Sequence, residues 1–318
     1  MHWGVVSTIK APLRDIANFA AHHLDIGAHR VIIYLDDDNP AAIKALADHP
    51  KLKLIKADAA NWRNANRPDK HQPRQSANAR HALKRKSGGL DWLAHIDVDE
   101  FLWPAKPLAA QLEALPQDCL CARIRPIEAL SPEGVPDIPA HITHFKATAL
   151  KRDKRNAETG AIYPTFGPHL NGGFLSHVAG KMIFRTGIDG LSPRIHNVVL
   201  GDTQNPGQHE LAQTELCHLH APSLADWLAR FDYRLEKGAY RAELAPTRAR
   251  SRGGLTMHEL FHTILDEHGR DGLHAFYDEV CRAAPDLRAR LDAHGLLRSY
   301  ALDLDAKRAK HFPGLTLD

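Results

Sequence analysis

Two apolar runs in this chain end abruptly in carboxylates. Val31-Ile32-Ile33-Tyr34-Leu35 runs into Asp36-Asp37-Asp38, and Trp92-Leu93-Ala94-His95-Ile96 runs into Asp97-Val98-Asp99-Glu100, with Phe101-Leu102 beyond. A continuous apolar run of this length is what a strand buried on both faces requires. Carboxylates at the mouth of such a strand are costly unless something positive sits among them. In parallel sheets flanked by helices, ligands bind outside the carboxyl ends of the strands. Two acidic clusters at two such ends therefore point to an α/β fold and to one ligand-binding edge.

The neighbouring segments fit that class. His2 to Thr8 reads as the first strand. Asp15 to Ile26 reads as a helix whose face carries Ile16, Phe19, Ala20, His23 and Leu24, with Gly27 where a C-terminal cap belongs. A short helix is expected after Pro40, a third strand over Leu52 to Ile55, a basic helix over Gln75 to Lys86, and a fourth strand over Leu93 to Ile96. Strand, helix, strand, helix with short connections predicts a mostly parallel sheet with helices on both faces.

The pattern changes after Asp118. Cys119 to Ile127 reads as a strand, followed by loops at Pro132, Pro136 and Pro139. Residues 151–173 are polar and rich in Gly and Pro, include Lys151-Arg152-Asp153-Lys154-Arg155, and read as a long, mobile, functional loop. Phe174 to Arg185 and Ile195 to Leu200 read as later strands. Helices are expected over Leu224 to Lys237, Thr256 to His268, Leu273 to Ala283 and Asp286 to His294, with 241–254 as an exposed linker. The expected division is a catalytic domain over 1–222 and a helical C-terminal extension over 223–318.

Charge and composition narrow the function classes. With 41 basic against 38 acidic residues the formal charge is +3, too balanced for a nucleic-acid or anionic-membrane binder. No apolar run approaches the roughly 20 residues of a membrane span, although peripheral membrane contact is left open. Cys119, Cys121, Cys217 and Cys281 form no Cys-x-x-Cys and read as reduced core residues. The N-terminus lacks a basic segment followed by a long apolar one. A cytoplasmic location is the expectation.

The Asp97-x-Asp99-Glu100 cluster carries the most chemistry. On an extended chain alternate residues point to one side, so Asp97 and Asp99 would converge on one cation while Val98 faces the core. Hard oxygen ligands suit Mg²⁺ or Mn²⁺. A divalent cation would stabilise a phosphorylated leaving group as it gains negative charge.

The stretch Trp92 to Leu102 resembles the Asp-x-Asp-Glu-Phe-Leu strand of family-2-like glycosyltransferases with the GT-A fold. The resemblance runs loosely from about residue 2 to residue 235 and is strongest over 74–102. Thr8 to Tyr34, with its His23 to Gly27 helix end, is similar to that group's opening strand, helix and strand. Arg74-Gln75 and Asn78, Lys181 to Arg185, and His218 to Ser223 match further landmarks. The chain departs from the group at Ile9-Lys10, where Asn-Glu is frequent, and at His218-Leu219, where His-Tyr is usual.

The resemblance implies a GT-A-like (Rossmann-like) catalytic domain, a UDP- or GDP-linked nucleotide-sugar donor, a saccharide or glycolipid acceptor, and Mn²⁺ or Mg²⁺. It implies that Asp97 and Asp99 hold the metal with His218 near the diphosphate. Asp36, Asp38, Arg74, Gln75, Asp97 and Lys181 would face the nucleotide sugar. The basic segment Lys151 to Arg155 would close over the diphosphate and exclude water. An inverting transfer also needs a general base. Glu100, Glu158, Asp189, Asp202, Glu210 and Glu215 are the candidates, with Asp189 and Asp202 in the acceptor-side part of the chain.

A second motif competes. His258-Glu259-Leu260-Phe261-His262 places two histidines four residues apart on one helix face, as a zinc peptidase requires. Glu259 would then be the general base and Glu279 a third ligand. The chain holds 22 histidines, so such spacings arise readily by chance. A third reading is a non-catalytic glycan-binding protein on a transferase scaffold.

Overall fold

A computed structural model describes residues 1–63 and 66–317. The chain is mixed α/β and divides into two compact units, each assembled from separate segments. The first unit comprises 1–125, 179–216 and 303–318; the second comprises 126–178 and 217–302. The expected domains follow chain order, whereas these units are interleaved along the chain.

In chain order the elements begin with β1 (Trp3–Ile9), α1 (Leu13–Asp25), β2 (Arg30–Leu35), α2 (Pro40–Leu46), β3 (Leu52–Lys56) and α3 (His71–Arg85). There follow β4 (Trp92–His95), β5 (Glu100–Pro104), α4 (Leu108–Glu113), β6 (Cys121–Ala129), β7 (Thr143–Lys146) and α5 (Arg152–Ile162). Then come β8 (Lys181–Arg185), β9 (Ser192–Pro193), β10 (Val198–Leu200), β11 (Thr203–Gln204) and β12 (His209–His218). The last are α6 (Leu224–Ala229), α7 (Phe231–Glu236), α8 (Met257–Val280), α9 (Pro285–Ala293), β13 (Leu297–Tyr300) and α10 (Leu304–His311).

In the first unit β3, β2, β1 and β4 pair in parallel, and β8 joins β4 antiparallel. This gives a mostly parallel central sheet flanked by helices. Its central strands are buried: β1 at every position, and Val31 to Leu35 of β2 are likewise inaccessible. Helix α1 packs Ile16, Phe19, Ala20 and Leu24 into the same core. It stops where expected, because Gly27 adopts φ 100°, and Gly27 and Ala28 donate back to Leu24 O and His23 O. Helix α10 also belongs here, joined by Lys310 and His311 to Asp25 of α1.

The second unit has its own core around Trp227, Phe231, Tyr240, Phe261, Phe276 and Tyr277. The helices expected over Thr256 to His268 and Leu273 to Ala283 form one element, α8, broken at Gly269 (φ 59°, ψ −147°). The same unit pairs β7 with β13.

Two expectations are corrected. Residues 151–173 are not a long loop, since α5 occupies Arg152–Ile162 and buries Glu158, Thr159 and Ile162. The strand expected from Phe174 begins only at Lys181. Before it, Gly180 adopts φ 75°, and a Cβ there would meet Ile124 O at 2.2 Å; the chain enters the sheet through a turn only glycine fits. No helix among the described residues is long and apolar enough to cross a membrane. All four cysteines are buried and free of disulfides.

Candidate functional site

The acidic segment after β4 is a turn and not an extended strand, which corrects the alternation argument. Glu100 N donates to Asp97 O at 3.1 Å, and the Glu100 carboxylate folds back to accept the Asp97 N–H at 2.7 Å. The expectation fails because Glu100 can satisfy the backbone of its own turn, which an isolated sequence cannot reveal. Glu100 is fully buried, Asp97 and Asp99 are half-buried, and Val98 packs at the edge of the core.

Asp97 is held from two elements. Gln75 Nε2 of α3 donates to its Oδ1, and Lys181 Nζ of β8 donates to its Oδ2 at 2.6 Å. Lys181 also lies 3.5 Å from Glu100 Oε2, and its side chain is 1% exposed. Burial by itself would lower the Lys181 pKa. The carboxylates of Asp97, Glu100 and Asp99 outweigh that and raise it above the ordinary lysine range. Beside them, burial and the Lys181 charge pull the His95 imidazole down to about 4, so His95 is neutral. Asp97 and Glu100 therefore face one buried ammonium at the carboxyl end of a parallel strand, and the Asp99 charge acts on it as well. Carboxylate oxygens are the donor set that Mg²⁺ and Mn²⁺ favour.

The second acidic cluster is resolved differently. Asp36, 5% exposed, accepts from Arg67 Nη2 at 2.9 Å and from Arg74 Nε at 2.9 Å and Nη2 at 2.6 Å, with His71 Nδ1 at 3.3 Å. Burial opposes its ionisation, yet His71 and Arg74 prevail and bring its pKa to about 2. Arg74 is thus committed to Asp36 through a two-pronged contact. Asp38 is exposed, and Asn39 caps α2 by accepting from Ala42 N at 3.0 Å.

Helix α3 couples both strand ends. It has little apolar surface and buries Gln75, Ser76 and Asn78. Asn78 donates to Thr8 Oγ1 at 3.0 Å and accepts from Arg63 at 2.8 Å, fixing the helix to the end of β1. Positions 74, 75 and 78 thereby address Asp36, Asp97 and Thr8.

Two buried histidines support the turn from behind and escaped the sequence reading as anything but apolar-face residues. His22 Nε2 lies 2.8 Å from Leu102 O, and His23 Nε2 lies 3.4 Å from Leu102 N, while His23 Nδ1 bonds Phe19 O at 2.7 Å. They tie α1 to β5 just beyond Glu100. Adjacent histidines before a helix-ending glycine were the available signal.

Asp189, Asp202 and Glu210 are placed elsewhere in the first unit. Asp189 is exposed in the turn after β8, at the end where Arg185 pairs with Trp92; Asp97 follows the opposite end of β4. Asp202 is exposed at the turn between β10 and β11. Glu210 is paired with Arg125 at 2.6 Å. His218 ends β12 in the second unit, where its ring lies 5.8 Å from that of His177 and 5.2 Å from that of His220. Groupings of carboxylate and imidazole groups close enough to hold an ion occur among the described residues. The Lys151 to Arg155 segment, expected as a closing loop, is the start of α5, and Arg155 is engaged with Asn171, Ala149 O and Leu150 O.

The zinc-motif helix is accounted for locally. The His258 and His262 rings lie 4.5 Å apart, but Glu259 closes a capping box with Thr256 and also pairs with Arg250 at 2.9 Å. Glu279 accepts the backbone N–H groups of Thr165 and Phe166, each at 3.0 Å.

Comparison of the sequence with known family models and with curated proteins finds no match to either.

Proposed function

We propose that this chain is a metal-dependent glycosyltransferase that moves a sugar from a nucleotide-sugar donor to a saccharide or glycolipid acceptor. The observation that carries the reading is the acid turn at the carboxyl end of β4, where Asp97 and Glu100 face the buried ammonium of Lys181 and Asp99 stands in the same turn. Clustered carboxylate oxygens of this kind match Mg²⁺ or Mn²⁺. The resemblance of Trp92 to Leu102 to GT-A transferases supplies the substrate class.

Roles follow from how each side chain is held. Asp99 is assigned to the metal on the resemblance; Asp97 is engaged through both oxygens by Gln75 and Lys181. Asp97, oriented and partly exposed, faces the nucleotide. Lys181 and Gln75 position Asp97, and Glu100 shapes the turn. The Asp36–Arg74 pair stabilises the end of β2, with exposed Asp38 left to meet the nucleoside. A bound cation would stabilise the departing diphosphate without proton transfer. His218 as a further ligand follows the resemblance, and the general base is unassigned.

The peptidase reading has weaker support, because Glu259 and Glu279 are engaged in capping backbone groups. Calorimetric titration of UDP and GDP, with and without Mn²⁺, tests the transferase reading. Metal-dependent binding that Asp99→Asn abolishes is expected. Absence of any nucleoside diphosphate binding, or an Asp99→Asn variant that binds as tightly as the parent, overturns it. Binding without any sugar transfer to a glycan acceptor panel would favour the non-catalytic glycan-binding reading.

A further inference from the structure

Helix α3 has a second polar face, one step round from the residues that hold Asp36 and Asp97. Gln72, Ser76 and Arg80 recur at four-residue spacing and so stand above one another. They line one wall of a cleft of about 500 Å³ in the first unit, and Arg194, Ile195 and Asn197 line the other. No carboxylate lines it among the described residues.

The two arginines are the unusual feature. Several arginines of the first unit are committed: Arg74 to Asp36, Arg123 to His196 O and Asn197 Oδ1, and Arg185 to Cys119 O. Arg80 and Arg194 have no ion-pair or hydrogen-bonding partner for their guanidinium groups among the described residues. Burial and the charge of Arg194 both act against the charge on Arg80 and lower its pKa. Two like charges, one on half-buried Arg80 and one on exposed Arg194, repel each other, and an anion between them relieves that repulsion.

The facing wall is built to hold its shape. Arg123, 8% exposed, donates to His196 O at 3.0 Å and to Asn197 Oδ1 at 3.1 Å. Asn205 donates to the same Asn197 oxygen at 2.9 Å. The Asn197 carbonyl is thus satisfied from within, which leaves its amide hydrogens as donors. The cleft also adjoins the acid turn through bonded neighbours: Ser76 follows Gln75, which holds Asp97, and Arg194 O lies 3.3 Å from the ring of His95, two residues before Asp97.

We propose that this cleft binds the anionic group of an acidic saccharide acceptor, a carboxylate or phosphate carried on a sugar, between Arg80 and Arg194. Guanidinium forks match both anions, and Gln72, Ser76 and Asn197 add neutral hydrogen-bonding groups suited to sugar hydroxyls. The word saccharide rests on the transferase reading above; the anion rests on the two arginines.

The test is calorimetric titration of the full chain with glucuronic acid, glucose 6-phosphate, glucose and inorganic phosphate, alongside UDP and GDP with Mn²⁺. At least one anionic sugar is expected to bind ten times or more tightly than glucose, and the stronger of the two names the anion. Arg80→Gln and Arg194→Gln are each expected to weaken it about tenfold, about 1.4 kcal/mol, with Arg80→Lys intermediate and thermal unfolding unchanged. The proposal is overturned if neither anionic sugar binds, if both variants bind as the parent does, or if inorganic phosphate binds as tightly as the sugars. It is also overturned if Arg80→Gln abolishes nucleoside diphosphate binding, for the cleft would then serve the donor. Diphosphate binding with no acidic-sugar binding sinks the cleft alone; acidic-sugar binding with no diphosphate binding sinks the transferase reading alone.

Discussion

Lys181 Nζ donates to Asp97 Oδ2 at 2.6 Å across 84 residues of chain, and it does so from a side chain that is 1% exposed. The same ammonium sits 3.5 Å from the fully buried Glu100. One cation thus holds the acid turn against the antiparallel neighbour of β4. Removing it takes the Lys181 charge away from the buried Glu100. Lys181→Met is expected to cost about 3–5 kcal/mol of unfolding free energy, the range for breaking one side of a buried pair. Lys181→Met combined with Glu100→Gln should recover a good part of that loss, because neither partner is then left charged and buried. Urea unfolding of the single and double variants measures this, and additive losses would show that Lys181 and Glu100 are not coupled.

How much of this arrangement was legible in the sequence depends on the range of each interaction. The strands β2 and β4 and their acidic ends could be read from apolar runs that stop at carboxylates. Helix α1 and its stop at Gly27 were legible because a positive φ needs glycine. The turn at Asp97 was not, since Asp-Val-Asp-Glu suits an extended strand as well as a turn closed by Glu100. Helix α5 was missed because it buries only Glu158, Thr159 and Ile162, too thin a stripe to register as a period. Helix α10 buries none of its residues, and its tie to Asp25 lies some 285 positions back along the chain. The family resemblance picked out Lys181, Gln75 and Arg74, but not which carboxylate each one meets, because pairing across strands is a property of topology.

Acid should loosen the β2 end as pH falls through and below the ordinary carboxylate range. The ordinary Asp pKa of 3.8 falls to about 2 at Asp36 in the folded chain. A depressed carboxylate contributes stability that is present above its unfolded pKa and is lost as pH falls through the folded value. The loss therefore runs between about pH 5 and pH 2, on the order of 2 kcal/mol for a shift of this size. Asp36→Asn should be less stable than the parent at pH 7, and the difference should shrink as pH drops to 3. Denaturant midpoints at pH 7, 5 and 3 would reveal it; a constant difference across that range would show that Asp36 acts by packing and not by charge.

His23 should give a second, separate acid dependence. Burial holds its imidazole at about 4 against an ordinary 6.5, so the folded chain keeps it neutral. Below pH 6.5 the unfolded chain binds a proton that the folded chain refuses. Stability therefore declines as pH falls from about 6.5 to about 4 and levels off below that. His23→Gln retains a hydrogen-bonding side chain without the titration. It is expected to be less stable at pH 7, through lost packing against Phe19 and Phe101, but to lose less stability between pH 6.5 and pH 4. Parallel slopes for parent and variant over that interval would rule the histidine out as the titrating group.

The zinc motif and the helix cap make opposite claims on one short segment. Thr256 Oγ1 accepts the Glu259 N–H at 3.1 Å, and Glu259 Oε2 accepts the Thr256 N–H at 2.9 Å, so the two residues close the start of α8 reciprocally. Thr256 is 4% exposed. If the segment exists to start a helix, Thr256→Ala should cost about 1 kcal/mol of stability and leave bound zinc at background in parent and variant alike. His258→Ala should then change stability little and change no activity. If the segment is a peptidase centre, the parent should purify with zinc, and His258→Ala should lose both metal and hydrolysis. Elemental analysis of the purified chain, paired with denaturant unfolding of the two variants, separates these outcomes. The cap geometry predicts a stability change confined to Thr256→Ala.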